Sequence, residues 1–169
     1  IGLGTDQAGS VRGPSAWCGC VGMKPTHGLV PYTGGFSTDR SLDHVGIITR
    51  TVETNARALG AAAGPDLSDG VLLDPRQTRS DPARSPTYYL PPEDGDLNGL
   101  TVGIVAEGFG RPVSDPGVDR TVRGAIDTLV DAGAEARAVS LPSLELAAPL
   151  MNAVVALSVT TGPFKHGGV

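Results

Sequence analysis

Residues 99–142 carry a strand–helix–strand pattern, and no other stretch of the chain narrows its fold as much. After Asn98-Gly99, the run LTVGIV is short, apolar and rich in β-branched residues, the mark of a buried strand. The segment SDPGVDRTVRGAIDTLVDAGAE then reads as a helix. Asp115 suits the N-cap and Pro116 the first helical position. Val118, Val122, Ile126 and Leu129 recur as one apolar stripe, and Gly133 suits the stop. AEARAVSLP predicts a second strand, and a further helix is expected from Leu144. Two strands joined through one helix are expected to run parallel with a right-handed crossover. The fold class that follows is α/β.

Upstream the pattern changes. Residues 1–35 are dense in Gly, Pro, Ser and Thr and read as loops and short extended pieces. Pro25 and Pro31 exclude a helix there. The segment beginning Ser41-Leu42-Asp43-His44 starts as a turn. From Thr51, Val52, Ala56 and Leu59 predict a helix that Gly64-Pro65 ends. Residues 65–98 show little periodicity and read as a long surface segment. The expected organisation is therefore three parts: 1–64, 65–98 and 99–169.

Composition removes several function classes. A chain of 169 residues with 40% hydrophobic content can bury a core, and 4% aromatics make that core mostly aliphatic. A net charge of −5 without a basic cluster argues against nucleic-acid binding. No apolar run approaches the ~20 residues of a membrane helix. Cys18 and Cys20 stand too close for a structural disulfide and lack partners at metal-ligand spacing. They read as two small buried or half-buried residues. No metal and no cofactor are expected, and a cytoplasmic location fits.

The opening stretch, IGLGTDQAGSVRG, raises three glycine-loop chemistries, and each fails on a required residue. A dinucleotide fingerprint has Gly2 and Gly4 but meets Gln7 at its third glycine. A phosphate loop has Gly4 and Gly9 but Ser10 where lysine is required. A nucleophile elbow around Ser10 meets Ala8 and Arg12 in place of its glycines. What remains is a run of small residues ending in a serine. Its backbone N–H groups could line a hollow for a developing oxyanion while Ser10 attacks a carbonyl carbon. A plain Gly/Ser turn around a buried arginine fits the same residues.

The wider order of residues resembles the amidase signature family. The match runs Gly4-Thr5-Asp6-Gln7-Ala8-Gly9-Ser10-Val11-Arg12-Gly13-Pro14-Ser15, then Cys18-Gly19, then Gly22-Met23-Lys24-Pro25-Thr26. It continues through Ser41-Leu42-Asp43-His44-Val45-Gly46 and Thr49-Arg50-Thr51-Val52. The pair Asp6-Gln7 resembles amidases of nitrile-degrading pathways, which act on aliphatic and arylalkyl amides.

That resemblance implies a fragment of the amidase-signature fold, a mixed β-sheet core flanked by helices. It implies a Ser–cis-Ser–Lys triad with Ser10 as nucleophile and the N–H groups of Gln7, Ala8, Gly9 and Ser10 as the oxyanion hole. The relay serine and the lysine lie upstream of the signature in the family. Of the lysines here, Lys24 matches a non-catalytic family lysine and Lys165 lies far from the motif. The chain, which begins at Ile1, thus reads as an internal piece of a longer enzyme, expected to be inactive and prone to aggregate alone. Ala8 stands where glycine is commoner, and Ile47 stands where the family has a loop proline.

Asp6 and Arg12 are expected to support the turn. Gln7 is a candidate for substrate contact. Trp17 is expected in the core, with the acyl pocket as its other role, and Phe109, after a strand end, is a second pocket candidate. His27, His44 and His166 read as loop histidines. The implied partner is a small-molecule amide, with a homodimer for the intact protein. Two other readings stand beside this one: the amide-hydrolysing subunit of a tRNA amidotransferase, and a non-catalytic amidase-like interaction module.

Overall fold

The computed structural model describes residues 1–39, 41–64 and 95–161. They fall into two compact units, one of residues 1–64 and 154–161, the other of residues 95–153. Most of the expected surface segment 65–98, with Lys165 and His166, lies outside the described residues.

The first unit is built on a three-stranded antiparallel sheet in the order β1-β3-β2: β1 is Gly2–Asp6, β2 is Val21–Met23 and β3 is His44–Thr49. The expected turn at 44 gives way to the central strand β3. His44, Val45, Ile47, Ile48 and Thr49 favour extended backbone; Gly46 breaks their alternation and conceals it. Ile47 opposes Leu3 on one side and Met23 on the other and is fully buried. It is a core strand residue, which corrects its reading as a loop position.

Helix α2 (Val52–Ala62) packs on β3 and β2. Thr51 caps it by accepting from Thr54 N–H. Asn55 Nδ2 donates to Val21 O at 3.3 Å and Ile47 O at 3.0 Å, tying the helix to both strands. Ala56 and Leu59 face the sheet, and Leu59 joins Val30 and Ile47 in the core cluster. Val52, expected on the same stripe, is exposed.

The second unit contains the parallel pair predicted from sequence: β4 (Thr101–Val105) and β5 (Glu135–Val139), in register from Thr101↔Glu135 to Val105↔Val139. Between them runs α3 (Pro116–Asp131). Asp115 caps it, accepting from Gly117 N–H at 2.6 Å. Gly133 (φ +103°) ends it in a Schellman motif, with Gly133 N–H on Val130 O and Ala134 N–H on Leu129 O. The apolar stripe of α3 exists, but Val118, Val122 and Leu129 remain exposed. A 3-10 turn (Pro142–Leu146) precedes α4 (Ala147–Thr161), so the helix expected from Leu144 starts three residues later. Among the described residues no helix is long and apolar enough to cross a membrane.

Candidate active site

β1 delivers the chain into a turn at residues 7–11, and α1 (Arg12–Trp17) leads it away. The turn is held from within by Asp6, which has no exposed surface. Asp6 Oδ1 accepts from Gly9 N–H at 2.8 Å, and Oδ2 accepts from Val11 N–H at 3.1 Å and Arg12 N–H at 3.4 Å. The Arg12 guanidinium adds two bonds, Nε to Oδ2 at 3.0 Å and Nη2 to Oδ1 at 2.9 Å. Burial alone would raise the Asp6 carboxyl. The Arg12 side chain and the three N–H groups outweigh it and hold the carboxyl well below the usual carboxylate range.

Gly9 adopts φ +116°, a conformation that only glycine takes readily. Among the described residues no other type has positive φ, so Ala8 carries no left-handed backbone strain. Ser10 is exposed at the head of the turn.

The sheet is shaped to receive α1. Gly4 and Gly46 face each other across β1 and β3, and Val11, fully buried, lies over both. A Cβ on Gly46 would sit 2.7 Å from Met23 O and 2.9 Å from Val11 Cγ2. A Cβ on Gly22 would meet the Ser15 side chain, 2.6 Å from its Cβ. Ser15 is itself buried, and its hydroxyl has no hydrogen-bond partner among the described residues. The end of α1 explains Cys18-Gly19-Cys20. Gly19 takes φ +64°, its N–H donates to Ala16 O, and Cys20 N–H donates to Ser15 O. This is a second Schellman motif, with a cysteine on each side of its glycine. Both thiols are exposed, which corrects the expectation of burial.

Beyond the last β1–β3 rung, Asp6↔His44, side chains extend the pairing. Gln7 Nε2 donates to Asp43 Oδ1. Asp43 is buried, and its Oδ2 accepts from Ser37 Oγ at 2.6 Å and Asp39 N–H at 3.3 Å. Asp39 Oδ2 in turn accepts from Ser158 Oγ at 2.5 Å. His44 is not a loop histidine. Its Nδ1 lies 2.6 Å from Leu42 O, and its Nε2 lies 3.0 Å from Lys24 Nζ. With Nδ1 protonated, Nε2 accepts from the lysine. Its ring meets that of His27 edge-on at 5.0 Å. Burial foremost, then the charges of Lys24 and His27, lower the pKa of His44 against the raising effects of Leu42 O and Asp6.

The first unit thus brings together Asp6, Gln7, Ala8, Gly9, Ser10 and Arg12. Gly9 N–H is turned inward to Asp6, away from the expected oxyanion set, and the amide nitrogen of the Gln7 side chain is committed to Asp43. Trp17 is 87% exposed, so its placement in the core is corrected. Phe109 belongs to the second unit, after the 3-10 turn Ala106–Gly108, and the Arg123 guanidinium lies 4.3 Å from its ring centre.

Sequence reasoning missed α1, Asp43 and the Lys24–His44 contact. Helix α1 has poor helix formers in Gly13 and Pro14, and only its packing through Val11 and Ser15 makes it. Asp43 stood inside the family motif, and its partnership with Gln7 follows only once β1 and β3 are seen to pair.

Known proteins are similar to this chain in sequence and in fold. The Amidase family's model matches residues 1–162. The chain is 41% identical over its whole length to the A subunit of Glutamyl-tRNA(Gln) amidotransferase of Natronomonas pharaonis, and spans 38% of that protein. It is 46% identical over 140 residues, 83% of its own length, to an enantioselective amidase of Rhodococcus rhodochrous, and spans 25% of that one. Among solved structures, the A subunit of Glutamyl-tRNA(Gln) amidotransferase from Thermotoga maritima matches 94% of the chain over 33% of its own length (TM-score 0.77, 26% identity). Native peptide amidase from Stenotrophomonas maltophilia matches 95% of the chain over 31% of its own length (TM-score 0.71, 27% identity).

Proposed function

Since the chain belongs to the amidase family, we propose that the full-length gene product hydrolyses small carboxamides to a carboxylic acid and ammonia, with Ser10 as nucleophile. The observation that carries this reading is the turn itself: a buried carboxylate latches it, and its exposed end presents a serine. Ser10 Oγ attacks the amide carbon and gives up its proton to a base. The oxyanion is held by backbone N–H groups of Gln7, Ala8 and Ser10, while Gly9 supplies the positive φ that shapes the hollow. The C–N bond breaks, the nitrogen leaves as ammonia with a proton, and an ester on Ser10 remains. Water then releases the acid.

The proton relay implied by the resemblance, a second serine and a neutral lysine, has no counterpart assigned among these residues. Lys24 Nζ is engaged by His44 Nε2 and Pro25 O. The chemistry needs no cofactor. Trp17 is a candidate wall of the acyl pocket, and a cytoplasmic homodimer is part of the same proposal.

A second reading, the amide-hydrolysing subunit of a tRNA amidotransferase, is favoured by the 41% identity over all 169 residues to the Natronomonas pharaonis protein. Ammonia release from aliphatic and arylalkyl amides, measured beside release from glutamine, separates the two. Turnover of the simple amides by the protein without partners supports the first. Turnover of glutamine alone, and only with partner subunits, supports the second. No turnover of either leaves the non-catalytic interaction module.

A further inference from the structure

We propose that Asp43 is a positioning residue for the oxyanion turn, acting through the side chain of Gln7. The proposal rests on the reading of Ser10 as nucleophile. Its basis is the way the turn is held. Asp6 fixes the far half from inside, through Gly9, Val11 and Arg12. None of those bonds reaches Gln7, the first residue after the strand and the first of the amides assigned to the oxyanion. Gln7 is held instead by Asp43, one step beyond the last backbone rung of β1 and β3.

Asp43 is built to stay where it is. It is 5% exposed, and its second oxygen is fixed by Ser37 Oγ and Asp39 N–H. Asp39 is anchored in turn by Ser41 N–H at 2.9 Å, by Ser41 Oγ at 2.6 Å and by Ser158 on α4. A line of hydrogen bonds therefore runs from α4 through two carboxylates to the residue whose amide opens the hollow. Rotation of the Gln7 peptide would carry its N–H off the oxyanion, and oxyanion donors act only when held in place before the reaction. Gln7 then serves as a strut as well as a donor.

The test uses the full-length gene product and a primary amide substrate. Gln7→Glu sets two carboxylates face to face and removes the donor. We expect kcat to fall about tenfold to a hundredfold, with KM changing less than about threefold. Pairing Gln7→Glu with Asp43→Asn restores one hydrogen bond with its direction reversed, and should recover at least about tenfold in kcat. A pH profile reads the same contact without the double variant. As pH falls from about 8 to about 5, the carboxyl introduced at position 7, sharing a site with Asp43, takes up a proton and becomes a donor again. The ratio of variant to parent kcat should then rise.

Unchanged kcat in Gln7→Glu overturns the proposal, as does a flat ratio across that pH range. Ser10→Ala is run alongside. If it abolishes turnover while Gln7→Glu does not lower kcat, only the role of Asp43 falls. If turnover survives Ser10→Ala, the nucleophile reading falls and takes this proposal with it.

Discussion

Arg12 grips Asp6 with two nitrogens, Nε at 3.0 Å and Nη2 at 2.9 Å, and the carboxylate they hold is fully buried at the root of the turn that presents Ser10. The Arg12 side chain is half exposed, so the ion pair by itself adds little stability. The N–H groups of Gly9 and Val11 lose their acceptor when the carboxylate goes, and that is the larger cost. Asp6→Ala is expected to lower unfolding free energy by about 3 kcal/mol in urea titrations of the full-length protein.

The same carboxylate sets an acid dependence. Its folded pKa is depressed, so its contribution is complete above the unfolded value near 4 and is lost as pH falls toward the depressed folded value. Asp6→Asn removes that contribution. Between about pH 4 and 2 the parent should lose stability more steeply than the variant. Parallel curves would contradict the assigned network.

His44 gives a second dependence, at milder pH. Its pKa is lowered in the fold, so the unfolded chain binds more protons just below pH 6.5, and stability falls as pH drops through that window toward the folded value. His44→Gln keeps an acceptor for Lys24 and cannot be protonated. Its stability should stay flatter between about pH 6.5 and 5, as read by thermal melts at matched ionic strength.

Much of the second unit was legible because its signals are local. Asp115, Pro116 and Gly133 act on their own neighbours, and the strand before α3, TVGIV, is short and rich in β-branched residues. The first unit was less legible because its elements depend on one another. Gly4, Gly22 and Gly46 read as loop residues, yet two of them lie in paired strands opposite each other and the third lies under Ser15. The resemblance pointed to Asp6, Ser10 and Arg12 as neighbours of one turn. It included Asp43 in the motif without giving it a role, and Asp43 reaches Gln7 across 36 residues of chain.

The Gly22–Ser15 contact can be tested directly. Gly22→Ala places a Cβ 2.6 Å from Ser15 Cβ and 2.9 Å from Val11 O, an overpacking expected to cost about 1–3 kcal/mol. Ser15→Ala alone removes a buried hydroxyl that has no partner among the described residues, and is expected to be neutral or stabilising by up to about 1 kcal/mol. A melting temperature for Ser15→Ala several degrees below the parent would show that this hydroxyl has a partner.

The 169 residues expressed alone are expected to release no ammonia and to self-associate. The strands β4 and β5 pair only with each other among the described residues, and Ile1, Leu3, Val118, Val122 and Leu129 are exposed. A monodisperse product with amide turnover that Ser10→Ala abolishes would refute this.

The claim on which the rest depends is that Ser10 carries the acyl group. Its most direct measurement treats the full-length protein with a serine-directed fluorophosphonate and maps the adduct by peptide mass spectrometry. The account predicts one adduct, on the peptide holding Ser10, formed in step with loss of amide turnover and absent in Ser10→Ala. Complete loss of turnover with the adduct on another residue, and none on Ser10, would contradict it.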